Sequence, residues 1–443
     1  MIRPISTYQY GPNLLLVGAS LVVTALGMGA VYLAERPGSF RSSLEFRALV
    51  IYLATVIGVF LSFRLGNFAG DQFLLPVIAL LSGFGLIVAV RMQPDLQEVR
   101  GFQIAIGERQ LAYLVAGFLL MWGVAVFFPN PTFLANWRYS VLFGGIALLV
   151  VTAAIGSTVN GARLWITVGG VQIQTAELVK VALVIFLAAY LSENEQLIGS
   201  SWKVGWFDLP PIPYLAPMGV MWGLCLVALV LLNDLGTALL FFLLFLVLLY
   251  VASGRSSYVL LGLLAFVGGA LLAYFLFDRV QLRIENWIDP WQHPYTGGYQ
   301  QIQSDYAISS GGIAGVGPGM GQPWQIPEVQ TDYVVAVIGE EWGLIGIVTL
   351  LGLYAVLTVR GMMIALRTSD SFLRLLAVGL TASLAIQALV ILGGVFRLLP
   401  LTGVTTPFVS YGGSSLLVSF GIAGLLLRIS DIGERQARAR YDA

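Results

Sequence analysis

The stretch that decides the fold begins WIDPWQHPYTGGYQ at residues 287–300, continues as GGIAGVGPGMG at residues 311–321, and ends IPEVQTDYVVAVIGEE at residues 326–341. Residues 287–346 are the only long polar interval of the sequence, and most of the chain on either side is apolar. Chemistry that needs water is therefore expected in this interval.

The composition of the whole chain excludes a soluble protein. Of its 443 residues, 58% are hydrophobic and 10% are charged, whereas soluble domains average about 45–50% and about 25%. The formal net charge of +0 says nothing about partners. Cys225 is the only cysteine and His293 the only histidine, so an internal disulfide, a cysteine metal cluster and a multi-histidine metal site are excluded.

Twelve apolar runs predict an all-α integral membrane protein, a polytopic helical bundle of about 12 transmembrane helices. A bilayer core about 30 Å thick needs ~20 apolar helical residues, and these runs lack the alternation of barrel strands. The first run, Asn13 to Ala34, is too long for a cleavable signal peptide. The runs are centred near Val22, Val56, Leu81, Phe118, Leu148, Ile185, Leu226, Leu244, Leu264, Val348, Leu384 and Leu417.

Basic residues favour an orientation with both termini in the cytoplasm, because an even number of spans returns the chain to its starting side and cytoplasmic segments are rich in Lys and Arg. This topology places a long extracellular loop, residues 278–332, between helices 9 and 10. The basic residues on the predicted inner side are Arg360, Arg367, Arg374, Arg428, Arg435, Arg438 and Arg440, and those opposing them in the first outer loop are Arg36, Arg41 and Arg47.

Ionisable residues at membrane depth cost at least ~2.5–3.5 kcal/mol each on insertion scales and so need a reason. Glu177 and Lys180 have the i, i+3 spacing of one helix face. They form either a self-compensating ion pair or the wall of a cavity that binds a charged head group. Asp234, between two apolar runs, either caps a helix start or faces a cavity, and these two roles are compatible.

Asp332 follows Gln330-Thr331 at the outer mouth of a span. It is either a helix cap or a general base, because a carboxylate at the lipid–water boundary is well placed to take a proton from a membrane-anchored substrate. Glu340 and Glu341 follow 8 and 9 residues later in the sequence, which at ~1.5 Å per residue places them ~12–14 Å deeper. Two adjacent carboxylates at that depth indicate a function, but they are too far from Asp332 to share a proton with it.

Two irregular segments complete the candidate site. The run Gly311–Gly321 lacks the flanking strand and helix of a nucleotide-binding fingerprint, and a flexible lid is preferred to a phosphate cradle. The segment Arg397–Ser415 carries two prolines and six aliphatic hydroxyl side chains, among them Ser410 and Ser414. Such backbone is tolerated at membrane depth where it lines a cavity; the alternative is an ordinary outer loop.

In combination these motifs resemble the SEDS family (shape, elongation, division and sporulation) of the RodA/FtsW type. The motif sequences are more similar to those of RodA than to those of FtsW. Each motif alone is weak, and it is their order along residues 66–443 that carries the resemblance. The matching pieces are Gly161 to Trp165, Gln174 to Lys180, Asp234 to Thr237, Trp287 to Gln303, Ile326 to Asp332, Gly339 to Glu341 and Pro407 to Ser415.

The resemblance implies a peptidoglycan glycosyltransferase that polymerises lipid II, an undecaprenyl-pyrophosphate disaccharide-peptide, at the outer face of the bacterial plasma membrane. It also implies a class B penicillin-binding protein as partner, in cell elongation or division. The family's essential extracellular aspartate falls on Asp332, its membrane-embedded glutamate and lysine on Glu177 and Lys180, and a further acid on Asp234.

The chain departs from the family pattern in three places. Thr175 and Asn233 stand where proline is usual, which affects helix entry. Gln330 stands where histidine is usual, which removes a titratable neighbour of Asp332. The two additional N-terminal transmembrane helices, within residues 1–65, lie outside the resemblance and carry no assigned function.

The resulting hypothesis is that Asp332 takes the proton of the acceptor hydroxyl while the anomeric carbon inverts. Arg163, Lys180 and Arg397 are candidates to stabilise the pyrophosphate charge, as oriented cations do for leaving phosphates. Glu177, Asp234, Glu340, Ser410 and Ser414 complete the expected substrate-binding set. No cofactor is predicted with certainty, and a divalent cation is compatible with the hypothesis. A lipid II flippase or transporter and a non-catalytic cell-wall scaffold are the alternatives.

Overall fold

The computed structural model describes residues 10–34, 44–100, 105–159, 162–169, 171–199, 202–204, 207–209 and 212–441. Within these residues 12 helices are long and apolar enough to cross a membrane, and each contains one of the predicted centres. The polytopic helical membrane fold is therefore confirmed. The helices are α1 Tyr10–Ala34, α2 Leu44–Leu65, α3 Leu74–Arg100, α4 Ile106–Phe127, α5 Arg138–Ile155, α6 Thr175–Glu193, α7 Glu195–Gly199, α8 Ile212–Leu231, α9 Leu235–Ser253, α10 Ser256–Leu276, α11 Asp278–Ile288, α12 Tyr299–Gly311, α13 Val334–Arg367, α14 Ser371–Val395 and α15 Gly413–Tyr441.

Two small antiparallel sheets were not predicted for a chain expected to be all-α. The first has the order β1-β2-β3 and the second pairs β4 with β5. The sequence did carry a signal for the first, because the β-branched stretch Trp165 to Val168 runs into a Gly-Gly pair, which is typical of a hairpin. The strands are β1 Ser157–Val159, β2 Ala162–Val168, β3 Val171–Gln174, β4 Trp202–Val204 and β5 Phe207–Leu209.

The chain forms two compact units. In the first unit α3 is the most enclosed span, with 89% of its apolar window buried. The rings of Phe118 on α4 and Phe420 on α15 have centroids 4.8 Å apart, and the Phe420 ring also packs on Phe408. This aromatic cluster fixes the irregular segment before α15 to the helices. The first unit comprises Met1–Phe128, Glu285–Arg360 and Gln387–Ala443.

The second unit is organised around α6, of whose apolar window 78% is buried. Helix α6 packs against α5 and α9, and a hydrogen bond of 2.8 Å joins the hydroxyls of Thr152 on α5 and Thr175 at the start of α6. The β1-β2-β3 sheet lies between α5 and α6 in the chain. The start of α6 is therefore held from both sides. The second unit comprises Pro129–Ile284 and Gly361–Ile386.

Helix α13, in the first unit, is broken at Gly343, where φ is 64° and ψ is −158°. A break of this kind removes the i→i+4 bonds from the carbonyls of Glu340 and Glu341 to the amides of Leu344 and Ile345. Such groups must find other partners where water is excluded.

The glycine-rich run supplies those partners. Val316 N donates to Glu340 O at 2.9 Å and Gly317 N to Glu341 O at 3.2 Å. Leu344 N donates to Gly312 O at 2.9 Å, and Ile345 N to Ile313 O at 3.2 Å. All four backbone groups freed at Gly343 are thus paired by residues 312–317.

The glycines of the run are required for this close approach. Gly315 has a φ of 84°, and a Cβ there would come within 2.6 Å of Trp342 N. The Glu341 carboxylate forms two further hydrogen bonds: it accepts from Gly319 N at 2.9 Å and from Arg91 Nε on α3 at 3.0 Å. Arg91 also donates to Gly321 O at 3.0 Å. The expectation of a flexible lid is therefore wrong: the run is an integral part of the helix break.

The break also bears on the surroundings of the two glutamates, whose depth in the membrane stays a prediction. The part of α13 after Gly343, residues 344–367, is long enough by itself to cross about 30 Å of hydrocarbon. The part before it, Val334 to Trp342, is not needed for the crossing. Its apolar side chains are buried within the protein, so Glu340 and Glu341 belong to a segment enclosed by protein.

We expect Gly343→Ala to destabilise the protein, because alanine is strained at this φ and ψ and its Cβ would come within 2.6 Å of Ile313 O. The loss should exceed about 1–3 kcal/mol, since the strain and the contact add. Thermal unfolding of the purified protein measures it.

Gly352→Ala is the matched control on the same helix. No atom lies within 4 Å of a Cβ at Gly352, and Ala is favoured over Gly inside a helix by about 1 kcal/mol. This variant should unfold at the same or a higher temperature than the wild type. Equal stability of the two variants would contradict a structural role for the break.

Candidate active site

The turn that carries Asp332 is built on Glu328, whose φ is 49°. The amides of Thr331 and Asp332 both donate to Glu328 O, at 3.2 and 3.1 Å. Asp332 is half-buried, and α13 begins at Val334. The N-cap position is thus Tyr333, which weighs against the interpretation of Asp332 as a simple cap.

The irregular segment before α15 is hydrogen-bonded to this turn. Ser410 Oγ donates to Thr331 O at 2.6 Å and accepts from Thr406 N at 2.9 Å. Tyr411 N donates to Gln330 O at 2.9 Å. The segment before α15 therefore holds both Gln330 and Thr331. Ser410 acts on the position of Asp332 through the backbone of Thr331.

The Asp332 carboxylate faces Gly403 of the same segment. A Cβ at Gly403, whose φ is 71°, would lie 3.6 Å from Asp332 Oδ2. Residues 397–415 therefore approach Asp332 at Gly403, and their predicted cavity-lining role stays a prediction. Ser414 is half-buried in the first turn of α15, and its neighbour Ser415 forms a hydroxyl pair of 2.6 Å with Thr405.

A polar chain that the sequence did not predict supports the turn from the other side. Tyr333 OH donates to Gln301 Oε1 at 3.0 Å, and Gln301 Nε2 donates to Asp305 Oδ1 at 2.9 Å. Arg397 Nη1 lies 3.3 Å from Asp305 Oδ2. Burial raises the pKa of the Tyr333 hydroxyl, so this group remains a donor at neutral pH.

Arg397 has further contacts that favour a positioning role. It donates to the carbonyls of Trp287 and Ile288, each at 3.2 Å, and its own carbonyl accepts from Trp287 Nε1 at 2.9 Å. These bonds join the end of α11 to the segment that faces Asp332. The predicted contact of Arg397 with pyrophosphate stays a prediction.

In the second unit Glu177 and Lys180 are paired as their spacing predicts. Lys180 Nζ lies 2.6 Å from Glu177 Oε2, and the Lys180 side chain is 1% exposed. Removing one partner of such a buried pair costs about 3–5 kcal/mol, because it leaves an uncompensated charge. The ion-pair interpretation is confirmed, and it leaves a head-group role open.

Asp234 belongs to the same group of charges. Its Oδ1 accepts from Thr237 N at 3.1 Å, which confirms the cap of α9. Its Oδ2 is buried without a hydrogen-bond partner. Burial raises the pKa of Asp234, and the negative charge of Glu177 raises it further. The structure therefore brings together Glu177, Lys180 and Asp234.

Arg163 has a different setting, on β2. Its side chain is exposed and Nη1 donates to Ala153 O at 3.2 Å. Among the residues that the structure describes, no three His, Cys, Asp or Glu side chains are grouped so as to hold a metal ion.

Comparisons with known proteins agree on one family. The FtsW/RodA/SpoVE model of cell cycle proteins matches residues 71–434. Peptidoglycan glycosyltransferase RodA of Mycobacterium tuberculosis is 40% identical over 375 residues, covering 84% of this chain and 80% of that protein. RodA of Mycobacterium leprae is 38% identical over 97% of this chain and 92% of its own length. The stage V sporulation protein E of Bacillus subtilis is 34% identical over 81% of this chain and 96% of its own.

Solved structures give the same result. A chain from a peptidoglycan synthase complex, solved for the coordination of polymerization and crosslinking, matches with a TM-score of 0.68 at 28% identity, covering 85% of this chain and 99% of that one. The rod shape determining protein RodA of Thermus thermophilus matches with a TM-score of 0.59 at 27% identity, covering 82% and 97%.

The buried cap at Asp234 yields a test with two substitutions. Asp234→Asn keeps an acceptor for Thr237 N and removes the charge, whereas Asp234→Ala removes both. We expect the alanine variant to lose about 1 kcal/mol of unfolding free energy, as helix caps do, and the asparagine variant to lose less.

The pH dependence separates the charge from the cap. Because the pKa of Asp234 is raised on folding from its ordinary value of 3.8, the native state retains this proton to higher pH than the unfolded state. This group's contribution to stability therefore falls as the pH rises above that value. Thermal unfolding across pH should show Asp234→Asn gaining on the wild type as pH rises; parallel curves would contradict the raised pKa.

Proposed function

As a member of the FtsW/RodA/SpoVE family of cell cycle proteins, this chain is a peptidoglycan glycosyltransferase, and we propose that Asp332 is the general base of its reaction. The observation that carries the proposal is the setting of Asp332. Its turn is fixed by Ser410 and Tyr411, while the residue stays half-buried and its carboxylate lies beside Gly403. A general base needs this combination of fixed position and access.

The proposed donor is lipid II. The acceptor sugar hydroxyl attacks the anomeric carbon of the donor from the face opposite the pyrophosphate, and its proton passes to the Asp332 carboxylate. The new glycosidic bond forms as the bond to the pyrophosphate oxygen breaks, so the anomeric carbon inverts and undecaprenyl pyrophosphate leaves. Proton removal of this kind contributes roughly 10²–10⁴-fold to the rate.

Lys180 is proposed to hold the lipid head group together with Glu177 and Asp234. Successive spans alternate in direction, so the links after the fifth, seventh, ninth and eleventh spans open on one side of the membrane. Those links lead to Glu177, Asp234, Asp332 and Arg397 in turn. A cation such as Lys180 at that side is suited to a pyrophosphate, and exposed Arg163 is proposed as a weaker contact.

The protein is a multi-pass membrane protein, and we place it in the bacterial plasma membrane with both termini in the cytoplasm. Basic residues at the end of α13, at the start of α14 and at the end of α15 support this orientation. A class B penicillin-binding protein is proposed as its partner in elongation or division. One structural relative was solved within a peptidoglycan synthase complex, which supports a partnered enzyme.

The additional helices α1 and α2 are proposed to support the outer loop. The match to the family model begins at residue 71, but the Mycobacterium leprae relative aligns over 97% of this chain and so shares most of residues 1–65. A Cβ at Gly319 would come within 2.9 Å of the Ala34 methyl group at the end of α1. Helix α1 thus packs against the glycine-rich run at Gly319, the residue whose amide donates to Glu341.

Asp332→Asn should abolish glycan strand synthesis, with a loss of roughly 10²–10⁴-fold or more. The assay reconstitutes the purified protein with its penicillin-binding partner and labelled lipid II and resolves the strands on a gel. Asp289→Asn is the control, since asparagine keeps the acceptor that binds Trp291 N. Strand synthesis that survives Asp332→Asn would refute the general base, and lipid II flipping in liposomes without polymerisation would favour a transporter.

The ion pair on α6 requires a double variant. Lys180→Met leaves the buried Glu177 unpaired and should destabilise the protein by about 3–5 kcal/mol. Glu177→Gln combined with Lys180→Met removes both charges and should restore most of that stability, while strand synthesis stays lost because the head-group cation is absent. A double variant that regains both stability and activity would show that the pair is only structural.

A further inference from the structure

Gln387 is a buried amide on α14 to which the proposed chemistry assigns no role. It is 1% exposed, and it lies about two turns before the end of the helix at Val395. A polar side chain inside a span is costly unless it finds hydrogen-bond partners, and glutamine side chains there pair with neighbouring segments. The partners of Gln387 therefore indicate what the residue does.

Gln387 binds both ends of one loop in the irregular segment before α15. Its Nε2 donates to Thr405 O at 2.9 Å, and it lies 3.4 Å from Thr405 Oγ1 and 3.3 Å from Ser415 Oγ. These two hydroxyls are hydrogen-bonded to each other. Because a carbonyl oxygen only accepts, the amide must present its NH2 group to Thr405. One side chain of α14 thus closes the base of the loop formed by residues 405–415.

The middle residue of this loop is Ser410, which contacts the turn that carries Asp332. Ser410 Oγ accepts from Thr406 N at 2.9 Å and donates to Thr331 O at 2.6 Å. Thr331 directly precedes Asp332 in the chain. Three hydrogen bonds therefore lead from the amide on α14 to the backbone beside the proposed base.

Tyr354 holds the same loop from a second helix, the part of α13 after Gly343. It is 5% exposed, and its hydroxyl donates to Pro407 O. The next residue, Phe408, has a φ of 65°. A bulky residue rarely adopts this conformation, and it persists only where the surrounding structure fixes it. Backbone strain of this kind is concentrated at functional sites, which indicates that the shape of the loop serves the site beside it.

We propose that Gln387 and Tyr354 are positioning residues for Asp332. They hold residues 405–415 in the strained shape from which Ser410 fixes the Asp332 turn before the substrate arrives. The inference rests on the proposed function of Asp332 as the general base. Both side chains are buried and act through Ser410, so they contribute to turnover and not to the binding of lipid II. Their loss should therefore lower kcat and leave KM nearly unchanged.

Two substitutions test the proposal in proteoliposomes that contain the full-length protein, its penicillin-binding partner and lipid II at varied mole fraction. Gln387→Met keeps the length of the side chain and removes the donor, and Tyr354→Phe removes only a hydroxyl. Each should lower kcat about tenfold or more, because a small displacement of a catalytic group costs that much. KM should change less than about twofold. Rates are normalised to the folded fraction of each variant.

Ser383→Ala is the matched control. Ser383 is buried on α14, and its hydroxyl donates to Leu380 O of the same helix at 2.7 Å. This variant removes a buried polar group without touching the loop and should keep the kcat of the wild type. Tyr354→Phe is the smallest of these changes at the loop and decides the question if Gln387→Met fails to fold.

The double variant Gln387→Met with Ser410→Ala tests the route. It should be about as slow as the slower single variant, because both substitutions interrupt one chain of hydrogen bonds. Losses that multiply would contradict the route through Ser410. An unchanged kcat in either Gln387→Met or Tyr354→Phe, or a raised KM with kcat unchanged, would overturn the proposal.

The general base is scored separately with Asp332→Asn. If this variant loses strand synthesis while Gln387→Met and Tyr354→Phe keep it, Asp332 remains the base and only the positioning proposal fails. Synthesis that survives Asp332→Asn would refute the general base itself, and the positioning proposal with it.

Discussion

The outer part of the first unit depends on one interaction. The glycine-rich run pairs the four backbone groups that the helix break at Gly343 frees. A helix that breaks within buried apolar sequence leaves donors and acceptors that water does not reach. Residues 312–317 satisfy all four. The same segment places Glu341 beside Arg91 and Glu340 beside Gln322, so the loop at the break positions both carboxylates.

The fixed outer loop also explains how a single aspartate can serve as a base. Asp332 lies on a turn clamped by the segment before α15 and by the chain of polar groups from Tyr333 to Arg397. Catalysis by a positioned base requires that its carboxylate be held before the substrate arrives. The residues around Asp332 thus contribute to the proposed chemistry by fixing the position of the carboxylate.

Much of the fold was predictable from sequence. All twelve spans were placed from runs of apolar residues, because the thickness of the bilayer sets their length. The Glu177–Lys180 pair and the Asp234 cap followed from local spacing. The short strands β1 to β3 were missed, although Trp165 to Val168 carried a pattern for them, because strands of three to seven residues are much shorter than the apolar runs that predict spans.

What the sequence determined by itself was therefore local: the spans, the family and the candidate carboxylates. The tertiary structure decided which partners those groups have. It turned the expected lid into a fixed element, since only contact with α13 shows that Gly315 and Gly343 are needed for close approach. It also joined Tyr333, Gln301 and Asp305 to Arg397, because hydrogen bonds between segments distant in the chain depend on how the helices pack.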